Sequence, residues 1–138
     1  MIDYRALQAA DLPAIKALYE EQGWTAYLHD DDRLMRAWNG SLYALGAFDG
    51  DDLIGFVRCL GDGAHTVLVQ DLLVAEAYQR RGIGRTLMEA VLDNYADVRQ
   101  VFVVTDTDDE KSLAFYHALG MVPLSSGGMI SLFRVSVI

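Results

Sequence analysis

The chain holds one cysteine and two prolines among its 138 residues. So little proline, beside 52% apolar residues, argues against a disordered or linker-like chain. The lone Cys59 cannot close an intramolecular disulfide, and its apolar strand neighbours Val57 and Leu60 make it a buried thiol rather than a nucleophile. No apolar run approaches the roughly 20 residues that span a bilayer. The opening residues Met1-Ile-Asp-Tyr-Arg5 lack the charged and apolar regions of a signal peptide, so a cytoplasmic location is expected. Positive charge is also scarce: 11 Lys and Arg against 20 Asp and Glu leave a net −9. That balance excludes nucleic acid and anionic membranes as natural partners and suits a cationic acceptor such as an amine.

Against this background three arginines fall within six residues. Residues 72–74 (Leu-Leu-Val) read as an apolar strand that runs through a short loop into Gln79-Arg80-Arg81-Gly82-Ile83-Gly84, with Arg85 next. A helix begins there, with Ile83, Leu87, Val91 and Tyr95 on one face. A helix N-terminus offers unpaired N–H groups and the positive end of a dipole. Two glycines let an anion approach the backbone, and arginine adds bidentate donors. The segment is a phosphate cradle. It is not a Walker A loop, which ends in Gly-Lys-Ser/Thr, nor a dinucleotide fingerprint, whose third glycine is replaced by Leu87.

Patterning elsewhere predicts one domain over residues 1–138. Strand 2–7 is followed by a helix capped by Asp11 that runs to about Gln22, then a Trp24-containing loop and a short helix over 31–39. Strands over 41–48, 53–60 and 65–74 are separated by hairpin turns at 49–52 and 61–64. Helix 82–95, strand 98–105, helix 109–119 and strands near 121–124 and 129–137 complete the chain. A meander followed by a strand–helix–strand crossover is an α+β fold, with a mixed, mostly antiparallel central sheet flanked by helices.

The pattern Q/R-x-x-G-x-G/A at Gln79 to Gly84, with Val-Phe-Val-Val-Thr-Asp at 101–106 and Ala-Phe-Tyr-His-Ala-Leu-Gly-Met at 114–121, resembles the GCN5-related N-acetyltransferase (GNAT) superfamily. The resemblance covers nearly the whole chain. It implies the GNAT fold, acetyl-CoA as donor, and transfer of acetyl to a primary amine, most simply of a small molecule, in a ternary complex. It also leaves open a protein N-terminal or lysine acetyltransferase, a non-catalytic acyl-CoA sensor, and either a monomer or a homodimer. No residue is assigned to a metal.

By that resemblance the main chain of Leu72, Leu73 and Val74 holds the pantetheine arm, with an N–H near Val74 facing the thioester oxygen. Gln79, Arg80, Arg81, Gly82, Ile83, Gly84 and Arg85 take the pyrophosphate, and Ser112 joins the cofactor contacts. Asp109 and Ser112 stand where the family has asparagine and alanine. Tyr116 is the expected catalytic residue, donating to the departing sulfur. With a phenol pKa of about 10 and a thiol near 8.5, full proton transfer is uphill by roughly 2 kcal/mol. Trp24 and Tyr27 fall in the acceptor-binding loop. Asp71, Glu21, His29 and His65 are candidates for a base, and the sequence selects none of them.

Overall fold

Three apolar stretches joined by glycine- and aspartate-rich turns build the centre of a five-stranded sheet. The computed structural model describes residues 1–135. In chain order the strands are β1 (Ile2–Ala6), β2 (Tyr43–Asp49), β3 (Asp52–Gly61), β4 (Thr66–Val74) and β5 (Gln100–Val103), and they lie in that same order across the sheet. The first four pair antiparallel; β5 is parallel to β4. The helices are α1 (Leu12–Glu21), α2 (Asp31–Asn39), α3 (Ile83–Asn94) and α4 (Glu110–Ala118). The α+β fold with a mixed sheet is as the sequence predicts.

The chain divides into two compact units, Met1–Val104 and Thr105–Ile138. In the first, Ile15, Leu18 and Tyr19 of α1 pack with Leu34 of α2, Phe56 of β3 and Leu73 of β4. The α3 face supplies Ile83, Leu87, Met88 and Val91, all buried at helical spacing. Each such side chain contributes about 1.5–3 kcal/mol on leaving water. Central β3 is buried on both faces from Ile54 to Cys59, and burial pushes the Cys59 thiol up to about 12, so it is inert.

One feature of the sheet prepares the site. Parallel pairing of β4 with β5 covers only Thr66 to Val69 on β4 and stops at Val103 on β5. Beyond Val69, β4 pairs on one side alone, with β3. The Ala75 N–H donates to the Ile54 carbonyl, so pairs 54/75, 56/73 and 58/71 are the hydrogen-bonded ones. Alternation then turns the main-chain groups of Leu72 and Val74 to the opposite, open edge. Those of Leu73 point into the sheet.

Some expectations need correction. Asp11 stands at the N-cap of α1 as expected, but its side chain makes no bond to that helix. It closes a 3-10 turn at Ala9–Asp11, accepting the Gln8 N–H at 2.8 Å, while Arg5 grips the same carboxylate at 2.9 Å. The strand expected over 98–105 shortens to Gln100–Val103, because the Val98 N–H is taken by the Tyr95 carbonyl in the turn after α3. The expected strands near 121–124 and 129–137 are not formed within the described residues. A 3-10 turn at Leu124–Gly127 follows Pro123 and ends on left-handed Gly128 (φ 78°). Residues 129–135 run without helix or strand, with Leu132 and Phe133 about 85% exposed; residues 136–137 lie outside the described part. An alternating segment becomes a strand only when a neighbour satisfies its backbone.

Candidate active site

The β4–α3 connection folds as a concave run of backbone donors. A 3-10 turn at Glu76–Tyr78 follows β4, its first N–H (Glu76) accepted by the Glu21 carboxylate at 3.0 Å. Gln79 is extended and its Nε2 donates to the Val74 carbonyl at 3.1 Å. Arg80 then sits in the left-handed region at φ 65°, alone among the described non-glycine residues, and Gly82 follows at φ 79°. Two left-handed residues flanking Arg81 turn successive N–H groups to one side, the geometry of an anion-binding nest. Gly82 is also the N-cap of α3 and brings no side-chain cap, so the first-turn donors of Ile83, Gly84 and Arg85 have no partner within the helix.

The positive side chains are held differently. The Arg81 guanidinium lies 5.0 Å from the centre of the Tyr78 ring, a cation–π contact that fixes it beside the loop. Arg85 pairs with Glu89 one turn on, at 3.4 Å, where both are half exposed. A Cβ built at Gly82 would meet no atom within 4 Å, so space is open over the loop. Uncapped donors, alternating left-handed residues and three guanidinium groups fit a pyrophosphate.

A second cluster stands on the same strand. Asp71 is 1% exposed and Arg58, directly opposite on β3, is 3% exposed. Arg58 Nε donates to Asp71 Oδ2 at 2.7 Å. Tyr19 O–H donates to the same oxygen at 2.7 Å, and Tyr27 O–H to Oδ1 at 2.9 Å. Gln70 Nε2 donates in turn to the Tyr27 oxygen at 3.2 Å. Arg58 Nη1 donates to the Ala37 carbonyl at 3.3 Å and to the Ser41 hydroxyl at 3.2 Å. Burial, reinforced by Asp71, pushes both phenols above their ordinary values, so each stays protonated. The Tyr19 ring stacks on Tyr27 at 4.4 Å and on Trp24 at 6.3 Å. Trp24 remains 38% exposed at the rim.

The structure therefore brings Trp24 and Tyr27 together with two residues the sequence reading left out of the site, Tyr19 and Arg58. A signal for Arg58 was present: one base and one acid, each isolated in an apolar strand of the same hairpin. Both clusters are tied to the end of β4, since Gln22 Nε2 at the close of α1 also donates to the Val74 carbonyl, at 3.3 Å.

The candidates for a base fare poorly. Both oxygens of Asp71 are occupied and the carboxylate is out of reach of solvent. Glu21 is committed to the Glu76 N–H. His65 precedes β4, nine residues from Val74, or roughly 30 Å along an extended strand. His29 is exposed in the loop before α2.

Tyr116 and Ser112 belong to the second unit, one turn apart on α4. Asp109 caps that helix, accepting the Ser112 N–H at 3.0 Å and the Ser112 hydroxyl at 2.8 Å. These bonds hold the Asp109 carboxyl below its usual range. They also commit the one proton Ser112 could donate. Tyr116 is half-buried, edge-on to Phe115 at 5.1 Å. Burial first, and the Asp109 charge second, push its phenol up to about 12.

The sequence model of the acetyltransferase (GNAT) family matches residues 9–121, and the chain belongs to that family. A GNAT-family acetyltransferase of Streptococcus pneumoniae TIGR4 is 33% identical, with all of each chain covered and a TM-score of 0.86. An uncharacterized ycf52-like N-acetyltransferase of Prochlorococcus marinus is 28% identical over 85% of this chain and 66% of its own length. The fold also matches AAC(6')-Iy in complex with the bisubstrate analogue CoA-S-monomethyl-acetylneamine, at 20% identity and TM-score 0.76, covering 99% of each chain. The chain spans about one third to two thirds of the length of the curated relatives it matches. Among the described residues no helix is long and apolar enough to cross a membrane.

Proposed function

We propose that the chain transfers the acetyl group of acetyl-CoA to the primary amine of a small molecule, by direct attack while both are bound, and that residues 1–138 act as one catalytic domain. The observation that carries this reading is the continuity of the open β4 edge at Leu72 and Val74 with the donor-rich loop 79–85, in a GNAT chain. Acetyl-CoA supplies the acetyl thioester. Arg80, Arg81 and Arg85 and the backbone of 82–85 hold its pyrophosphate; the main chain of Leu72 pairs with its extended arm, and Leu73 contributes a buried side chain beneath. The Val74 N–H, turned to the open edge, stabilises negative charge on the thioester oxygen as the amine attacks. The ammonium first loses a proton to water; the free amine then forms the new C–N bond as the C–S bond breaks. Its nitrogen gives one more proton to water, and water returns one to the departing sulfur, which leaves as the thiol. Tyr116 donates a hydrogen bond to that sulfur.

Trp24 and Tyr27 wall the acceptor. Their π faces, the net charge of −9 and the precedent of the acetylneamine analogue on a similar fold all support a cationic amine. The test is a panel of amines incubated with acetyl-CoA, read by release of free thiol. Turnover with at least one cationic amine, with an acceptor KM that rises with ionic strength, is expected. Acetyl-CoA binding without turnover on any amine contradicts the reading and leaves a sensor.

A further inference from the structure

We infer that Tyr27 reads the acceptor's amine as an oriented hydrogen-bond acceptor, and that Asp71 is the positioning residue that aims its hydroxyl rather than a base. The inference rests on the acetyl-transfer reading above and deepens it. A phenol has one proton and two lone pairs. The Tyr27 proton is given to Asp71 Oδ1 at 2.9 Å, and one lone pair receives Gln70 Nε2 at 3.2 Å. One lone pair is left. Its oxygen carries more negative charge than a free phenol's, because its O–H is polarised by a carboxylate in a low-dielectric setting. Such an oxygen takes an N–H donor, and an ammonium or amine supplies one.

Asp71 itself is unavailable to substrate. Oδ2 receives both Tyr19 and Arg58, Oδ1 receives Tyr27, and the side chain is closed off from solvent. The paired Arg58 cancels its charge, and the guanidinium stands 6.0 Å from the Tyr27 ring centre. The pair therefore offers an incoming cation neither a buried counter-charge nor a repelling one. What it fixes is direction: the Tyr27 ring is clamped by stacking on Tyr19, and its O–H by Asp71. Gln70, which bonds the Tyr27 oxygen, and Trp24 at the rim are both exposed, so the hydroxyl stands at the solvent side of the cluster while Asp71 stands at its buried side.

The experiment is steady-state kinetics by thiol release with butylamine and 1,4-diaminobutane, beside calorimetric titration of coenzyme A. Tyr27→Phe keeps the ring and loses the oxygen, so acceptor KM is expected to rise about tenfold, while kcat and the coenzyme A affinity stay within a factor of two to three. Asp71→Asn is expected to raise KM similarly, and to add little in the Tyr27→Phe background, because both act through one hydroxyl. A base at Asp71 would instead make Asp71→Asn remove the acid limb of kcat/KM; the inference requires that limb to remain. Should Asp71→Asn fail to fold, Tyr27→Phe decides alone. Wild-type turnover with an unchanged KM in Tyr27→Phe overturns the inference and leaves acetyl transfer standing. Absence of turnover in the wild type with coenzyme A bound overturns both.

Discussion

Arg58 and Asp71 face each other across the β3–β4 ladder, Nε to Oδ2 at 2.7 Å, both nearly sealed from water. The pair is the hub on which α1, the Trp24–Tyr27 loop and the end of α2 converge through Tyr19, Tyr27, Ala37 and Ser41.

Breaking it leaves a charge buried and unpaired. Arg58→Ala is expected to lower stability by about 3–5 kcal/mol, a large part of what a small domain has. Arg58→Lys keeps the charge but not the several directed donors, so it should recover only part. Urea unfolding of both variants checks this; a loss under 1 kcal/mol for Arg58→Ala contradicts a hub.

The β3–β4 turn responds to acid. Asp62 Oδ1 accepts the N–H groups of Ala64, His65 and Thr66 at 2.8, 2.8 and 3.0 Å, and these bonds hold its carboxyl down at about 2. A depressed folded-state pKa means the stabilisation is complete above the unfolded value near 3.9 and is lost as pH falls through about 2. Asp62→Ala should lower Tm at pH 7, and the gap to wild type should narrow between pH 4 and pH 2. Melting curves over that range read the outcome; a gap constant in pH rules out the carboxylate.

Local chemistry was legible in the sequence; chemistry that depends on register was not. Gly82 and Gly84 with three arginines are contiguous, and contiguity alone puts them at a helix start. Arg58 and Asp71 lie 13 positions apart and meet only because β4 carries one extra, unpaired residue at Gln70, which shifts the pairing by one residue. Counting from the turn cannot supply that shift. The same distinction explains Asp11, whose ion-pair partner Arg5 sits on another element, and Met129 to Val135, whose strand-like alternation says nothing about whether a partner strand is present.

Tyr116→Phe removes a single oxygen on α4. With the phenol at about 12, full transfer to a departing thiolate near 8.5 is uphill by about 5 kcal/mol, so the group acts through a hydrogen bond made chiefly in the transition state. A fall in kcat of roughly 10²–10⁴ with acceptor KM little changed is expected. The acting form is protonated and its pKa is raised, so the wild-type rate should show no loss from this residue below about pH 11. A Tyr116→Phe variant with near-normal kcat, chemistry being rate-limiting, makes the tyrosine a packing residue.

Calorimetric titration of coenzyme A into wild type, Arg81→Ala and Gly82→Ala tests the phosphate cradle most directly. Arg81→Ala removes charge-assisted bonds worth about 1.5–3 kcal/mol each, so affinity should weaken tenfold or more. Gly82→Ala meets no atom but must hold φ 79°, at about 1–2 kcal/mol for a residue with a Cβ, and should weaken binding by a similar factor through distortion of the nest. Affinity that drops in both variants, with Arg81→Ala melting as wild type does and Gly82→Ala folded but melting a few degrees lower, is the result the account predicts. Equal affinity in all three proteins would contradict it and place the pyrophosphate elsewhere.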